Sequence, residues 1–208
     1  MDKLIGFLRQ NRWARRALTG FSALLLVVAI VLLAYPAYTN WVHNRLQGNL
    51  RSQLTSPSLK DAYVNHRLKD GDSLTRIQIP KIGVDVVVVE GISESALKAD
   101  AGHYPTTPLP CTAGNVAIAG HRTTYGKPFA NVDQLGPGDK ITLTTPVGSC
   151  TYQLAAPPTV VSPNDVSVIA NVSNQSVLTL TTCTPKGSAS HRLIVRAVML
   201  PDNSTKAA

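Results

Sequence analysis

The sequence predicts a mostly β domain that closes into a barrel, preceded by one transmembrane helix. Three observations carry that expectation. An uncharged apolar run, Ala17 to Tyr38, follows a basic N-terminal tip. Short β-branched runs separated by turn residues fill the chain from Leu74 onward. The intervals between those runs leave little room for crossover helices, which favours a mostly antiparallel closed sheet over an α/β architecture.

Composition narrows the function. The 208 residues carry 20 Lys+Arg against 12 Asp+Glu, with 44% hydrophobic and 15% charged residues, so the chain is not a disordered charged tail. A net charge of +8 would suit nucleic acid, but its distribution argues otherwise. Residues 1–16 hold Lys3, Arg9, Arg12, Arg15 and Arg16 against Asp2, which is half of the excess. The rest is spread thinly, and no nucleic-acid partner is expected.

The elements follow in order. Residues 1–16 are a basic tip expected on the cytoplasmic side, and 17–38 are the membrane anchor, long enough to span roughly 30 Å as a helix. Trp13 flanks the run on one side and Tyr35, Tyr38 and Trp41 on the other, as interfacial aromatics do. The positive-inside rule makes the protein a single-pass cell-membrane protein whose N-terminus is cytoplasmic and whose domain is extracellular. A cleaved signal peptide and a buried core helix are the rival readings; the run is long for the former, and AYPAYTN offers no A-x-A cleavage site. Residues 39–73 are a polar spacer, helical in part but interrupted at Gly48 and Pro57.

The barrel occupies 74–200, with 201–208 as a tail. Its strands are LTRIQIP, VDVVVVE, NVAIAG, KITLTT, CTYQLAA, SVLTLTT and RLIVRAVML, seven or eight in all. Pro-Val-Gly-Ser at 146–149 turns KITLTT into CTYQLAA as a hairpin. A short helix is predicted over Ser93–Ala99 with Ser93 as N-cap, and a helical turn near Pro128–Leu135.

Three cysteines, Cys111, Cys150 and Cys183, leave at least one thiol without an intramolecular partner. A Cys111–Cys150 disulfide and free thiols both remain open, because sequence does not fix connectivity. Cys183 ends the run SVLTLTTC and is followed by Thr-Pro, so a rigid strand presents it at a sheet's rim. A thiol becomes a useful nucleophile beside a base or a cation. His121 ends NVAIAGH at another strand exit, and Arg192 opens the last strand, one short loop beyond Cys183. An always-charged forked guanidinium suits an oxyanion or a peptide carbonyl. The plain alternatives are a structural Cys183 and a surface His121. His43 and His66 fall in the spacer. No C-x-x-C or H-x-x-x-H spacing suggests a metal, and no cofactor is expected.

NVAIAGHR (115–122), TLTTC (179–183) and RLIVRA (192–197), in this order behind an apolar segment, resemble the sortases, membrane-anchored cysteine transpeptidases of Gram-positive bacteria. The likeness covers about 74–200. GHRTTYGKPF (120–129), GHYP (102–105) and TLTTCTP (179–185) look most like class E sortases of actinobacteria, although Thr184 stands where that class often carries His. The absence of a C-terminal apolar segment speaks against a pilus-polymerising type, and no acidic cluster between 101 and 132 suggests a calcium site.

The resemblance implies an eight-stranded sortase-type barrel and catalytic residues Cys183, His121 and Arg192. It implies cleavage of the Thr–Gly bond of a C-terminal sorting signal of LAXTG or LPXTG type. The acyl group would pass through a Cys thioacyl intermediate to a cell-wall amine acceptor. The partners it implies are secreted proteins bearing the signal, a lipid-linked peptidoglycan precursor and the membrane, with a monomeric catalytic domain. The loop Pro158–Ser176 is expected to wall the substrate groove. His191 neighbours Arg192, but strand alternation points it the other way, and Arg196 is the weaker arginine because it lies roughly 13 Å along the strand. The competing function is a non-catalytic cell-surface binding module with Cys183 structural.

Overall fold

The computed structural model describes residues 12–201 and falls into two units, divided after Val42. In the first, helix α1 (Arg12–Leu54) begins, and its segment Arg15–Tyr35 has a mean hydropathy of 2.7 with none of it buried. That segment is long and apolar enough to cross a membrane and overlaps the predicted anchor. Most of the basic tip lies outside the described residues.

The second unit holds the last turns of α1, helix α2 (Pro57–Val64) and the sheet. Gly48 does not interrupt α1, and Pro57 opens α2 instead of breaking it. At the first helical position proline gives up an N–H that has no intrahelical partner, while the Ser56 hydroxyl accepts from the Leu59 N–H.

The stretch expected as a spacer therefore packs on the barrel. Gln47 is buried and donates its amide to the carbonyls of Ala99 (2.8 Å) and Val87 (3.4 Å). Its carbonyl accepts from the Val87 N–H at 2.8 Å. A side-chain amide thus occupies both backbone groups of Val87. Leu50 packs with Val87, Val89, Ala96 and Ala99, and the Tyr63 hydroxyl donates to the Pro110 carbonyl at 3.0 Å.

The strands are β1 (Ser73–Ile79), β2 (Val84–Glu90), β3 (Ala101–His103), β4 (Gly114–Gly120), β5 (Lys140–Thr145), β6 (Gly148–Leu154), β7 (Thr159–Val161), β8 (Ser176–Thr184) and β9 (His191–Met199). They pair in the order β6-β5-β1-β2-β3-β4-β8-β9, and β6 pairs with β9 to close an eight-stranded barrel. Strand β7 is an addition that pairs with the first half of β9, opposite the half that meets β6. All pairings are antiparallel except β2–β3 and β4–β8. The β5–β6 hairpin and the helix α3 (Glu94–Lys98), capped by Ser93, form where the sequence predicts them. The turn near 128–135 is a single 3-10 turn, Val132–Gln134.

Two strands have no counterpart in the sequence reading. Strand β3 is the Ala-Gly-His of the GHYP segment, too short and too glycine-rich to show a period of two. Gly102 is needed there because a Cβ would come within 2.1 Å of the Gly91 carbonyl oxygen. Strand β7 lies within the loop expected to wall the groove.

Alternation decides what faces inward. Ile77 and Ile79, Val116 and Ile118, Ile141 and Leu143, Leu178 and Leu180, Val195 and Ala197 fill the barrel with Phe129 and Tyr152. Cys111 and Cys150, left open by the sequence, are joined as a disulfide that ties the β3–β4 loop to β6.

Candidate active site

The candidate residues lie on the outer face of β4, β8 and β9. Leu178 and Leu180 point into the barrel from β8, so Thr179, Thr181 and Cys183 point out. Val116 and Ile118 point in from β4, so Ala117 and Ala119 point out, with His121 next in the alternation. On β9 the inward residues are Leu193, Val195 and Ala197, and the outward ones are Arg192, Ile194 and Arg196.

Register brings the three candidate residues, Cys183, His121 and Arg192, to one end of that face. Cys183 is directly opposite Arg192 in the antiparallel β8–β9 pair. The parallel β4–β8 pair sets Ala119 beside Thr181, and two further residues along each chain bring His121 to the level of Cys183. Two contacts hold that register past the last paired residues. The Thr182 hydroxyl donates to the Gly120 carbonyl at 2.7 Å, and Arg122 Nη1 donates to the Thr184 hydroxyl at 2.8 Å. Gly120 has its own reason to be glycine, since a Cβ there would come within 2.5 Å of the buried Phe129 ring.

Cys183 is half-buried and is the free cysteine of the three. Burial pushes the His121 imidazole below its ordinary value of 6.5, and the Tyr125 ring stands 5.2 Å from the His121 ring, tilted by 48°. Arg192 Nη1 donates to the carbonyls of Ala189 (3.1 Å), in the loop between β8 and β9, and of His191 (3.3 Å), the first residue of β9. His191 is exposed, pairs across from Thr184 and shares a contact with the Ser190 hydroxyl, away from the outer face of Cys183. His66 is exposed, and the side chain of His43 lies outside what is described.

Arg196 has a different occupation. Its Nη2 donates to the Val168 carbonyl at 3.0 Å, and Asn115 Nδ2 donates to the Val168 and Ala170 carbonyls, each at 3.0 Å. The Thr179 hydroxyl in turn donates to Asn115 Oδ1 at 2.7 Å. These bonds lay the segment Val166–Ala170 across the outer face, farther along the strands from Cys183. A cleft of about 350 Å³ lies between this segment, Pro157, Thr159, Ile194 and Arg196. On the opposite flank the Tyr104 hydroxyl meets the Thr181 hydroxyl at 3.1 Å.

A sortase-domain family model matches residues 77–200. The chain belongs to the sortase family. Within it the chain is class E-like: SrtE1 of Streptomyces coelicolor is 31% identical over 198 residues, covering 86% of this chain and 56% of SrtE1. Sortase D of Bacillus subtilis is 32% identical over 122 residues, covering 57% of this chain and 60% of that protein. This sortase therefore spans little more than half the length of these two relatives. Among solved structures, a sortase D5 transpeptidase of Clostridium perfringens aligns with a TM-score of 0.67 at 30% identity, covering 77% of this chain and 99% of the other. Sortase E of Streptomyces avermitilis aligns with a TM-score of 0.58 at 37% identity, covering 64% and 91%.

Sequence reading passed over Arg122, Asn115 and Tyr104. Asn115 and Arg122 stand at the two ends of the quoted motif NVAIAGHR, and Tyr104 belongs to GHYP. A charged residue next to a glycine-histidine strand exit was the available signal for Arg122, but its partners lie on other elements.

Proposed function

We propose that this sortase is a membrane-anchored cysteine transpeptidase that uses Cys183, His121 and Arg192 on a C-terminal sorting signal. The observation that carries the reading is the register of β8 and β9, which pairs Cys183 with Arg192 beside the exit of β4, where His121 follows Gly120.

His121, kept neutral near pH 7 by burial, accepts the Cys183 proton. The thiolate attacks the carbonyl carbon of the signal's threonine, and the resulting oxyanion is stabilised by the Arg192 guanidinium. For this Arg192 exchanges the carbonyls of Ala189 and His191 for substrate. Collapse breaks the Thr–Gly C–N bond, and the imidazolium returns its proton to the departing glycine amine. An acceptor amine then attacks the thioester, loses its proton to His121, and expels the Cys183 thiolate. The sum is exchange of one amide for another, with no redox change.

The likeness to class E favours an LAXTG-type signal and a lipid-linked peptidoglycan precursor as acceptor. The apolar segment Arg15–Tyr35 supports the anchor, and the basic residues before it favour a cytoplasmic N-terminus. The test uses the full-length chain in detergent micelles with LAXTG and LPXTG peptides and an amine acceptor. Cleavage and amine transfer are expected for wild type, with LAXTG preferred and both lost in Cys183→Ala. Neither peptide cleaved, or an active Cys183→Ala, returns the chain to a binding role.

A further inference from the structure

We propose that Arg122 is a positioning residue that clamps the strand ends carrying Cys183 and His121, through the carbonyl of Cys183, the hydroxyl of Thr184 and the carboxylate of Asp133. The proposal rests on the assignment of Cys183 and His121 above and adds to it a residue that touches no substrate.

The geometry is specific. Arg122 follows His121 in the chain, so its backbone is continuous with the acid–base residue. Its side chain is 6% exposed, unusual for a guanidinium on a connecting loop. Nη1 donates to the Thr184 hydroxyl at 2.8 Å and reaches the Cys183 carbonyl at 3.5 Å. Nη2 meets Asp133 Oδ2 at 3.1 Å, a carboxylate that is 44% exposed. One planar fork therefore ties the ends of β4 and β8 to the 3-10 turn Val132–Gln134, a geometry that an ammonium cannot reproduce.

On the β9 side, strand β8 stays paired through Thr184, but on the β4 side sheet pairing has ended at this level. Strand β4 stops at Gly120, and the last β4–β8 register pair is Ala119 with Thr181. Beyond it the contacts made by Thr182 and Arg122 continue the register. A second link runs in parallel, where Lys186 Nζ donates to Asn131 Oδ1 at 3.1 Å and joins the loops that follow Cys183 and His121. Removing the clamp frees the Cys183 carbonyl and lets the thiol drift from the imidazole, and displacements near 1 Å at such a site cost on the order of a hundredfold in rate.

The test compares shape-matched variants of the full-length chain in detergent: Thr184→Val, which keeps volume and loses the hydroxyl, Thr184→Ser, which keeps the hydroxyl, and Arg122→Met. Three quantities are read below each variant's melting temperature: kcat and KM for the LAXTG peptide per titrated Cys183, and the rate of Cys183 alkylation by iodoacetamide. Thr184→Val is expected to lose about tenfold in kcat with KM within about twofold, and to alkylate at least about threefold more slowly. Arg122→Met should lose more, and Thr184→Ser should stay within about twofold of wild type.

The proposal is overturned if Thr184→Val matches wild type in both readouts, or if Thr184→Ser loses as much as Thr184→Val. A melting-temperature drop with unchanged kcat and alkylation per titrated thiol assigns Arg122 to stability alone and also overturns it. The alkylation readout needs no turnover. If wild type cleaves no peptide, the catalytic reading fails, while slower alkylation in Thr184→Val and wild-type behaviour in Thr184→Ser still support the clamp.

Discussion

Arg192 stands directly across from Cys183 in the antiparallel register of β8 and β9, and both side chains belong to the outer face of the barrel. Arg196, four residues on, is opposite Thr179 and spends its guanidinium on the Val168 carbonyl. The two arginines are therefore expected to separate cleanly on mutation. Arg192→Ala should lower kcat/KM by about 100-fold or more, the loss typical of a missing oxyanion donor, with little change in melting temperature. Arg196→Ala should retain kcat and act on KM through the loosened loop. Steady-state kinetics on both variants checks this, and equal losses in kcat would count against the assignment.

The disulfide makes a chemical prediction. Cys111 and Cys150 close a loop across a sequence separation of 39, worth up to about 4 kcal/mol in denatured-state entropy. Alkylation of the unreduced native chain should label one thiol, Cys183, and reduction under denaturing conditions should expose three. Cys150→Ser should lower the unfolding free energy by about 2–4 kcal/mol in a denaturant titration. Three labels without reduction would refute the bond.

Asp100 is fully buried, and desolvation pushes its carboxyl up to about 7. The folded state therefore holds a proton that the unfolded chain releases near pH 4. Stability from this group is fully present below the unfolded value and is lost as pH rises through about 7. Asp100→Asn should flatten the fall in stability between about pH 4 and pH 7, measured as the melting temperature against pH for both proteins. Parallel curves would reject the role.

Gln47 predicts where the folded domain begins. It bonds both backbone groups of Val87, and Leu50 packs beside it. Gln47→Ala leaves the buried Val87 N–H without its side-chain acceptor and should cost about 1–3 kcal/mol. A soluble piece starting at residue 43 should melt well above one starting at residue 60, because the shorter piece uncovers Val87, Val89, Ala96 and Ala99. Equal melting temperatures would make the helix a passive tether.

Much of the barrel was legible because strand periodicity is local. The run SVLTLTTC alternates between the core and the outer face, and that alternation alone separates Cys183 from Leu180 and Arg192 from His191. Strand β3 was not legible, because three residues are too few to show a period and its glycine is there for close packing. Gln47 lies in the stretch expected as a polar spacer, because a glutamine's hydropathy does not reveal that its amide will bond the backbone of a strand.

The sequence by itself determined the apolar segment, the order of the β runs and the three motifs at their ends, since hydropathy and alternation depend only on near neighbours. Tertiary structure decided which cysteines join, which residue of β9 stands across from Cys183, what Gln47 packs on and where along β8 the strand β4 ends. Those four depend on pairing between segments far apart in the chain, above all the parallel β4–β8 contact, whose register no local pattern encodes.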